Sequence, residues 1–366
     1  ALTGAAGTPG TLPVTVSASA EKGTGISLDP VAPRVGYPES VGMDGRQLAD
    51  VDSVLRRAML DRAFPGAAVA VGREDVITKL DGHGYHTYDK KKLVSSRSQY
   101  DLASLTKVVA TTTAAMLLVE RDSIALDDAV ATYLPEFAQK GKDAVTVRQL
   151  LTHSSGLKPY LGPDERGATR DALIDSIMAQ PLAYTPGTKS DYSGLGIITF
   201  MHLVESVTGQ SFDTFAENNI FGPLGMHDTG FYPADTTVAR AVPTTDTADV
   251  RYQGSVHDPI AQVMDGVSGN AGLFSTARDL SRFAYMLTHE GQIDGRQFLE
   301  AETIETFTAR ADAPGSTRAI GWDTKSSDGY SSAGDRFSNS SFGHTGYTGT
   351  SMWIDPTRDL FVILLT

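Results

Sequence analysis

The sequence predicts a mixed α/β (α+β) fold in which helices flank one antiparallel sheet and a helical lobe lies beside it. Strand-like segments occur at both ends of the chain, and helix-like segments fill the middle. The last two predicted strands are joined by a short turn at residues 355–359, which is typical of an antiparallel hairpin. Terminal strands that share one sheet bury their apolar faces against the intervening helices.

Periodicity and capping residues define the individual elements. Apolar residues at helical spacing predict a helix over residues 44–62, and apolar runs predict a hairpin of strands 67–72 and 76–85. The segment 108–120 is apolar or small on nearly every face, so this helix should be buried all round. Further helices are predicted at 146–152, 171–179, 195–208, 212–220 and 275–287, and strands at 348–354 and 360–365.

The order of these elements divides the chain into three parts. Residues 1–36 are rich in Gly, Pro, Ser and Thr, which is typical of a linker or the tail of a preceding domain. Residues 37–103 and 265–366 are expected to form the sheet domain, and residues 104–264 a mainly helical domain. Because the chain ends in an apolar run typical of a buried strand, we expect a fragment of a longer protein.

Composition narrows the classes of partner. Lys and Arg number 31, Asp and Glu number 44, and the formal net charge is −13. A surface this acidic repels phosphate backbones and anionic lipids, which argues against nucleic acid and membrane surfaces as partners. The chain has no cysteine, which excludes disulfides and cysteine nucleophiles, and no apolar run long enough for a transmembrane segment.

Ser104 and Lys107 form the candidate nucleophilic pair, at the start of the predicted buried helix. A serine hydroxyl is a weak nucleophile near neutral pH and needs a base. Side chains three residues apart on a helix lie on one face, and both burial and the helix start disfavour the ammonium form of lysine. The Ser104 N–H can also donate to a developing oxyanion.

The same Ser-x-x-Lys spacing occurs at residues 19–22 and 155–158, so the surrounding sequence must decide. The first lies in the linker-like segment, and the second is followed by Pro159, where a helix cannot begin with the lysine inside it. Only Ser104 begins a long buried helix. The structural alternative is that Ser104 is an N-cap and Lys107 a solvated residue of the first turn.

Tyr192 is the candidate second proton-transfer group. It precedes a predicted helix and lies at a turn, so its phenol can reach a cleft and act as a base or relay if nearby cations lower its pKa. The alternative is a half-buried core tyrosine.

His344, Thr345 and Gly346 are expected to open the penultimate strand and to bind substrate. His344 can donate a hydrogen bond or a proton, Thr345 can bond a carboxylate or carbonyl, and Gly346 allows a substrate backbone to approach closely. The N–H of Tyr347 is the candidate second oxyanion donor. The alternative for His344 is a satisfied turn histidine.

Five segments in this order resemble the landmarks of the class C β-lactamase-like serine hydrolases, which include serine β-lactamases, DD-carboxypeptidases, D-aminopeptidases and β-lactamase-fold esterases. The segments are residues 101–107, 150–157, 186–187 with 192–193, 272–280 and 343–346. The resemblance spans residues 37–366 and implies the serine β-lactamase/penicillin-binding-protein fold. It makes Ser104 the acylated nucleophile, Lys107 its base or relay, Tyr192 the second proton-transfer group and residues 344–346 the substrate-binding strand.

The sequence departs from the family pattern at two positions. Gly194 stands where the tyrosine motif usually ends in Asn, so an amide contact to an acylamido substrate is missing. His344 stands where the family usually has Lys, and a neutral imidazole attracts a carboxylate less than an ammonium does. Both changes favour an esterase or a DD-peptidase-like penicillin-binding enzyme over a true β-lactamase. A catalytically weak binding or accessory module is the alternative outside the enzymes.

The remaining expectations concern ligands and location. The substrate is expected to be a small ester, amide or β-lactam. No metal and no cofactor are predicted, because His83 and His86 have no third ligand placed by spacing. Residues 10–16 and 23–26 resemble the tail of the last domain of family-3 glycoside hydrolases, which implies a fused upstream domain. Relatives that act on cell-wall material work outside the cytoplasm, so a periplasmic or extracellular location is expected by analogy.

Overall fold

The computed structural model describes residues 8–11, 14–17, 25–28, 32–233, 235–245 and 251–366. Its strands are β1 (Thr8–Thr11), β2 (Gly25–Leu28), β3 (Arg34–Val35), β4 (Gly66–Arg73), β5 (Val76–Gly84), β6 (Tyr100–Asp101), β7 (Thr244–Thr245), β8 (Arg251–Tyr252), β9 (Phe274–Ser275), β10 (Gln292–Ile293), β11 (Arg296–Gln297), β12 (Asp323–Thr324), β13 (Phe342–Gly346), β14 (Thr350–Asp355) and β15 (Leu360–Leu365).

A seven-stranded sheet lies at the centre of the fold. Its spatial order is β12-β13-β14-β15-β4-β5-β3, so strands from both ends of the chain meet where β15 pairs with β4. The neighbours are antiparallel except at the edge, where the two-residue β3 runs parallel to β5. The predicted sheet of terminal strands is therefore confirmed, with one parallel edge that the sequence did not indicate.

The segment predicted to be a linker contributes to the described structure. Arg34 anchors β3 through its main-chain N–H to the Asp75 carbonyl (3.0 Å) and through its guanidinium to the Asp75 carboxylate (2.8 Å). The short strands β1 and β2 pair with each other further upstream. The other residues of 1–31, apart from 14–17, lie outside the described residues.

Helices cover both faces of the sheet and fill the middle of the chain. The α-helices are α1 (Gly45–Leu48), α2 (Asp50–Leu60), α3 (Thr113–Glu120), α4 (Val147–Leu151), α5 (Arg170–Met178), α6 (Gly194–Thr208), α7 (Phe212–Ala216), α8 (Asp235–Val238), α9 (Pro259–Val263), α10 (Ala277–Thr288) and α11 (Ala301–Thr308). The π-helical turns are Lys107–Thr112 and Glu217–Phe221, and the 3₁₀ turns are Pro38–Val41, Val130–Thr132, Pro135–Phe137 and Pro163–Glu165. In the described part of the chain, no helix has the length and apolar character needed to cross a membrane.

Capping and burial explain why the helices begin where they do. Thr146 caps α4 in a reciprocal capping box with Gln149, and the Thr276 hydroxyl accepts the Asp279 N–H at the start of α10. The helix predicted over 108–120 is buried as expected, although its first turns are π-helical. The helix predicted over 44–62 divides into α1 and α2, and the one predicted over 212–220 ends in the second π turn.

The end of the sheet differs from the sequence prediction. His344, Thr345 and Gly346 do not open the penultimate strand; they end a separate strand, β13, which precedes it. The chain reverses at residues 347–349, where Gly349 adopts φ +91° and donates its N–H to the Gly346 carbonyl (3.1 Å). A left-handed glycine permits this tight reversal, so the last three strands form a meander.

Packing on the two faces of the sheet fixes the strands that carry the site. On one face, Leu55 of α2 packs against Val69 and Val71 of β4. On the other face, α10 buries Phe283 and Leu287 in the main core. Each fully buried side chain of this size contributes about 2 kcal/mol of hydrophobic free energy, so both faces hold the sheet rigidly beneath the site.

Candidate active site

The turn before Ser104 is fixed by hydrogen bonds from three directions. Strand β6 pairs with β9, and the Leu102 N–H extends this pairing to the Leu273 carbonyl (2.9 Å). The buried Asp101 carboxylate accepts the N–H groups of Ala103 (2.9 Å) and His257 (2.8 Å). Burial raises the pKa of Asp101, against the effect of these two donors. The turn therefore holds Ser104 at the start of the buried helix.

Ala103 is strained within this turn. Its φ of +45° is in the left-handed region, which costs a non-glycine residue about 1 kcal/mol. The strain places the Ser104 side chain at the partly exposed edge of the helix while its neighbours on both sides are buried.

Lys107 lies beside Ser104, as the spacing predicts. Its Nζ donates to the Ser104 Oγ (2.9 Å) and to the main-chain carbonyl of Asn270 (2.8 Å). The side chain is only 3% exposed, and the first π turn begins at Lys107 itself. The solvated first-turn alternative for Lys107 is therefore wrong, because a burial this deep places the amine inside the site.

Tyr192 projects into the same cleft, between two basic side chains. Lys107 Nζ lies 5.0 Å from the centroid of the Tyr192 ring, and the guanidinium carbon of Arg318 lies 4.7 Å from it. The phenol oxygen is 3.5 Å from Nε2 of His344, and the residue is 37% exposed. The ring of this half-buried tyrosine faces Lys107 and His344, and its role as the second proton-transfer group stays a prediction.

His344 is buried and neutral at neutral pH. Burial lowers its pKa, with Arg318 and Lys107 acting in the same direction and Asp323 opposing them. Nδ1 lies 2.7 Å from the Thr345 carbonyl oxygen, which can only accept, so the proton of the neutral ring is on Nδ1. Nε2 is then an acceptor, and it faces the Tyr192 hydroxyl.

The end of β13 lies directly against the nucleophile turn. Thr350 Oγ1 donates to the Leu102 carbonyl (3.0 Å), and Thr348 Oγ1 donates to the Asp101 carbonyl (2.6 Å). A Cβ at Gly346 would overlap the Leu102 carbonyl oxygen, so only glycine allows this approach. The structure therefore gives Gly346 a close contact with the protein's own backbone at Leu102, and the predicted approach of a substrate backbone stays a prediction.

Tyr347 follows at the exposed mouth of the cleft. Its ring is 83% exposed and stacks on His257 with centroids 5.5 Å apart. The role of its N–H as an oxyanion donor stays a prediction.

Arg318 and His153 are site residues that sequence reasoning missed. Arg318 forms an ion pair with Asp323 of β12 and supplies a fixed positive charge beside Tyr192. His153 lies within one of the five resembling segments, and its ring centroid is 4.5 Å from that of Tyr192.

His153 acts on Tyr192 through the backbone. Its Nδ1 accepts the Ser193 N–H (3.1 Å), which fixes the residue next to the tyrosine. Burial, with Arg318, Lys107 and His344 as further causes, holds the pKa of His153 well below its usual 6.5, so the ring is a neutral acceptor.

The other Ser-x-x-Lys segment in the described chain does not form such a pair. The Ser155 hydroxyl accepts the Leu157 N–H (3.3 Å), and Lys158 is bonded to the Glu165 carboxylate (2.5 Å). Residues 19–22 lie outside the described residues. Within the residues that are described, no group of three or more His, Asp or Glu side chains is arranged to hold a metal ion.

The fold and the arrangement around Ser104 define a serine hydrolase of the β-lactamase and penicillin-binding-protein type. Residues 51–366 match the family model described as Beta-lactamase, and the chain belongs to this family. An N-acetylmuramyl-L-alanine amidase of Bacillus subtilis (strain 168) is 31% identical over 373 residues, covering 92% of this chain and 84% of the relative.

Solved structures confirm the predicted fold class. EstCE1, described as a hydrolase with promiscuous acyltransferase activity, gives a TM-score of 0.74 at 24% identity and covers 88% of this chain and 93% of its own. A penicillin-binding protein homologue from Caulobacter crescentus gives a TM-score of 0.72 at 25% identity and covers 87% of this chain and 91% of its own.

Proposed function

We propose that this enzyme hydrolyses an amide bond of a small peptide-like substrate through a covalent acyl-enzyme on Ser104. The observation that carries the proposal is the bond of 2.9 Å between Lys107 Nζ and Ser104 Oγ. The second acceptor of Lys107 is a main-chain carbonyl, so both acceptors are neutral oxygens. Since neither acceptor is a carboxylate, these two bonds do not hold Lys107 Nζ in an ion pair, and they place it where it can take the serine proton.

Acylation then proceeds by addition and elimination. Ser104 Oγ bonds to the substrate carbonyl carbon while its proton passes to Lys107, and the carbonyl oxygen becomes an oxyanion bound by the N–H groups of Ser104 and Tyr347. Tyr192 gives its proton to the leaving nitrogen as the carbon–nitrogen bond breaks. The proton on Lys107 then restores the phenol of Tyr192, whose ring centroid lies 5.0 Å from Lys107 Nζ.

Hydrolysis of the ester intermediate repeats these steps in reverse. Water adds to the acyl carbon and loses a proton to the Tyr192–Lys107 pair, and Ser104 leaves as the hydroxyl. His344 orients the protonated phenol before each transfer, because its Nε2 accepts from the Tyr192 hydroxyl at 3.5 Å.

Both the positive charge of Arg318 and the similarity to a named relative support a peptide-like substrate. Arg318 places a positive charge at the Tyr192 side of the cleft, where a carboxylate on the leaving group would be attracted. The relative at 31% identity is an N-acetylmuramyl-L-alanine amidase by name, which supports an amide substrate drawn from cell-wall peptide. We propose a periplasmic or extracellular site of action for the same reason.

Intact-protein mass spectrometry tests the nucleophile. The wild type is incubated with a fluorescent penicillin and, separately, assayed for turnover of p-nitrophenyl acetate and an N-acetylated dipeptide amide. The expected result is a single adduct per chain, which digestion locates on the peptide that contains Ser104, together with turnover of the amide. Ser104→Ala should lose both while its thermal unfolding stays unchanged.

The matched control is Ser155→Ala, which removes the serine of the other described Ser-x-x-Lys segment. This variant should keep the adduct and the turnover. Labelling of Ser104→Ala, or a folded wild type with neither adduct nor turnover, would contradict the proposal. Rapid turnover of a cephalosporin would instead favour a β-lactamase.

A further inference from the structure

Gly194 begins α6 at a point where a Cβ would fit in ordinary van der Waals contact, and a side chain from another segment lies next to it. A Cβ built on Gly194 would lie 3.8 Å from both Cβ and Nδ2 of Asn270. Its nearest neighbour would be the Pro159 carbonyl oxygen at 3.4 Å. The carboxamide of Asn270 therefore borders the volume that a side chain at position 194 would fill.

Asn270 is held firmly by the nucleophile helix. Its main-chain carbonyl accepts from Lys107 Nζ (2.8 Å), and the preceding Gly269 carbonyl accepts from Thr111 Oγ1 (2.7 Å). The residue is only 7% exposed. Two bonds to one helix fix this segment relative to Ser104, so the position of the Asn270 side chain is tied to that of the nucleophile.

The orientation of the carboxamide leaves a donor available. Oδ1 accepts from the Ser268 hydroxyl (2.6 Å), which turns the oxygen away and directs the NH₂ group to the Gly194 side. Among the described residues, no acceptor forms a hydrogen bond with Asn270 Nδ2. This atom is also not one of the unpaired polar atoms that are completely buried, so a ligand can reach it. A nearly buried amide donor without a protein acceptor is suited to an acceptor on a ligand.

We propose that Asn270 determines specificity by donating from Nδ2 to a carbonyl oxygen on the acyl side of the substrate. The substrate class is an N-acylated amino acid or peptide, whose amide carbonyl lies beyond the scissile bond. Asn270 thereby supplies the carboxamide contact that Gly194 cannot make. The inference rests on the proposed function, because it requires acyl transfer at Ser104.

Two p-nitrophenyl esters of equal chain length provide the test. The N-acetylglycine ester carries the amide carbonyl, and the pentanoate ester replaces it with methylene groups. Asn270→Ala keeps the main-chain carbonyl that binds Lys107 and removes only the donor. We expect kcat/KM to fall about 10- to 100-fold on the N-acetylglycine ester and less than about threefold on pentanoate.

Two further variants separate a substrate contact from a structural role. Ser268→Ala frees the carboxamide to rotate, so it should produce a smaller loss on the N-acetylglycine ester alone. Adding Gly194→Asn to Asn270→Ala should raise kcat/KM on the N-acetylglycine ester at least fivefold above that of Asn270→Ala alone. The new carboxamide would enter the volume that the Asn270 side chain vacated. Thermal unfolding of each variant checks the fold.

The outcomes distinguish the role of Asn270 from the proposed acyl transfer at Ser104. Equal losses on the two esters, or no loss on either, would overturn the role of Asn270 while Ser104-dependent turnover left the proposed function standing. A folded wild type that turns over neither ester and forms no adduct on Ser104 would overturn both.

Discussion

Replacing Gly346 with alanine tests whether the end of β13 must touch the nucleophile turn. The new Cβ would overlap the Leu102 carbonyl oxygen and the Thr350 hydroxyl. The hydroxyl can rotate, but the carbonyl belongs to a backbone held by the bond from Leu102 N–H to the Leu273 carbonyl. The strand end must therefore withdraw from Ser104 by about 1 Å to restore ordinary contact, a displacement that impairs the alignment of reacting groups.

The expected loss follows from this displacement. A misplacement of about 1 Å between a catalytic group and its substrate reduces the rate about 100-fold. This corresponds to about 2.7 kcal/mol of activation free energy. The loss should appear in kcat/KM for the pentanoate ester, which has no amide carbonyl and so does not depend on Asn270.

Gly194→Ala is the matched control within the same cleft. Its Cβ would meet its nearest neighbour at 3.4 Å, which is ordinary van der Waals contact, so activity should stay within about threefold. Both variants are compared by steady-state kinetics after thermal unfolding confirms that they fold. A folded Gly346→Ala enzyme with near wild-type kcat/KM, or an equal loss in Gly194→Ala, would refute the reasoning.

Three further predictions concern proton transfer and pH. Tyr192→Phe should lower kcat about 100-fold or more with little change in KM, because it removes the relay hydroxyl; steady-state kinetics within threefold of wild type would contradict this. Burial lowers the pKa of Lys142 from 10.5 to about 8. Between these pH values the unfolded state therefore binds more protons than the folded state, so the free energy of unfolding rises with pH. From pH 7 to pH 10, urea titrations should show this free energy increasing by about 2 kcal/mol more for the wild type than for Lys142→Met. Because the pKa of His153 is lowered in the folded protein, the free energy of unfolding should fall by up to about 1.4 kcal/mol per pH unit below pH 6.5. His153→Gln should reduce this dependence on pH, and equal slopes for the wild type and the variant would contradict the prediction.

Local spacing was sufficient to predict the centre of the site. Ser104 and Lys107 are three residues apart on one helix, so their contact depends on helix geometry alone. The helix over residues 146–152 was also predicted, and the capping box between Thr146 and Gln149 at its start likewise joins residues close in sequence. The strands β4, β5 and β15 were also predicted from apolar runs, although only β4 is buried along nearly its whole length and β15 alternates between buried and half-buried residues.

Arg318 and Asn270 come from segments without periodicity or a motif, whereas His153 was missed although it lies within a resembling segment. Arg318 lies between α11 and β12, and only tertiary packing brings it to Tyr192. Asn270 reaches Lys107 through its main-chain carbonyl, a group that every residue has and that no sequence pattern can single out. The position of His344 was predicted in the wrong strand because the reversal at residues 347–349 has a single glycine and none of the usual paired turn residues.

The buried carboxylate of Asp101 couples two parts of the cleft, and this coupling limits how substitutions can alter substrate range. One oxygen accepts the N–H that leads into Ser104, and the other accepts the N–H of His257, whose ring supports the exposed Tyr347. The floor of the cleft and its rim therefore share one anchor. A substitution that reshapes the rim for a new substrate will also move the floor, so substrate range and catalytic rate cannot be adjusted independently at this end of the cleft.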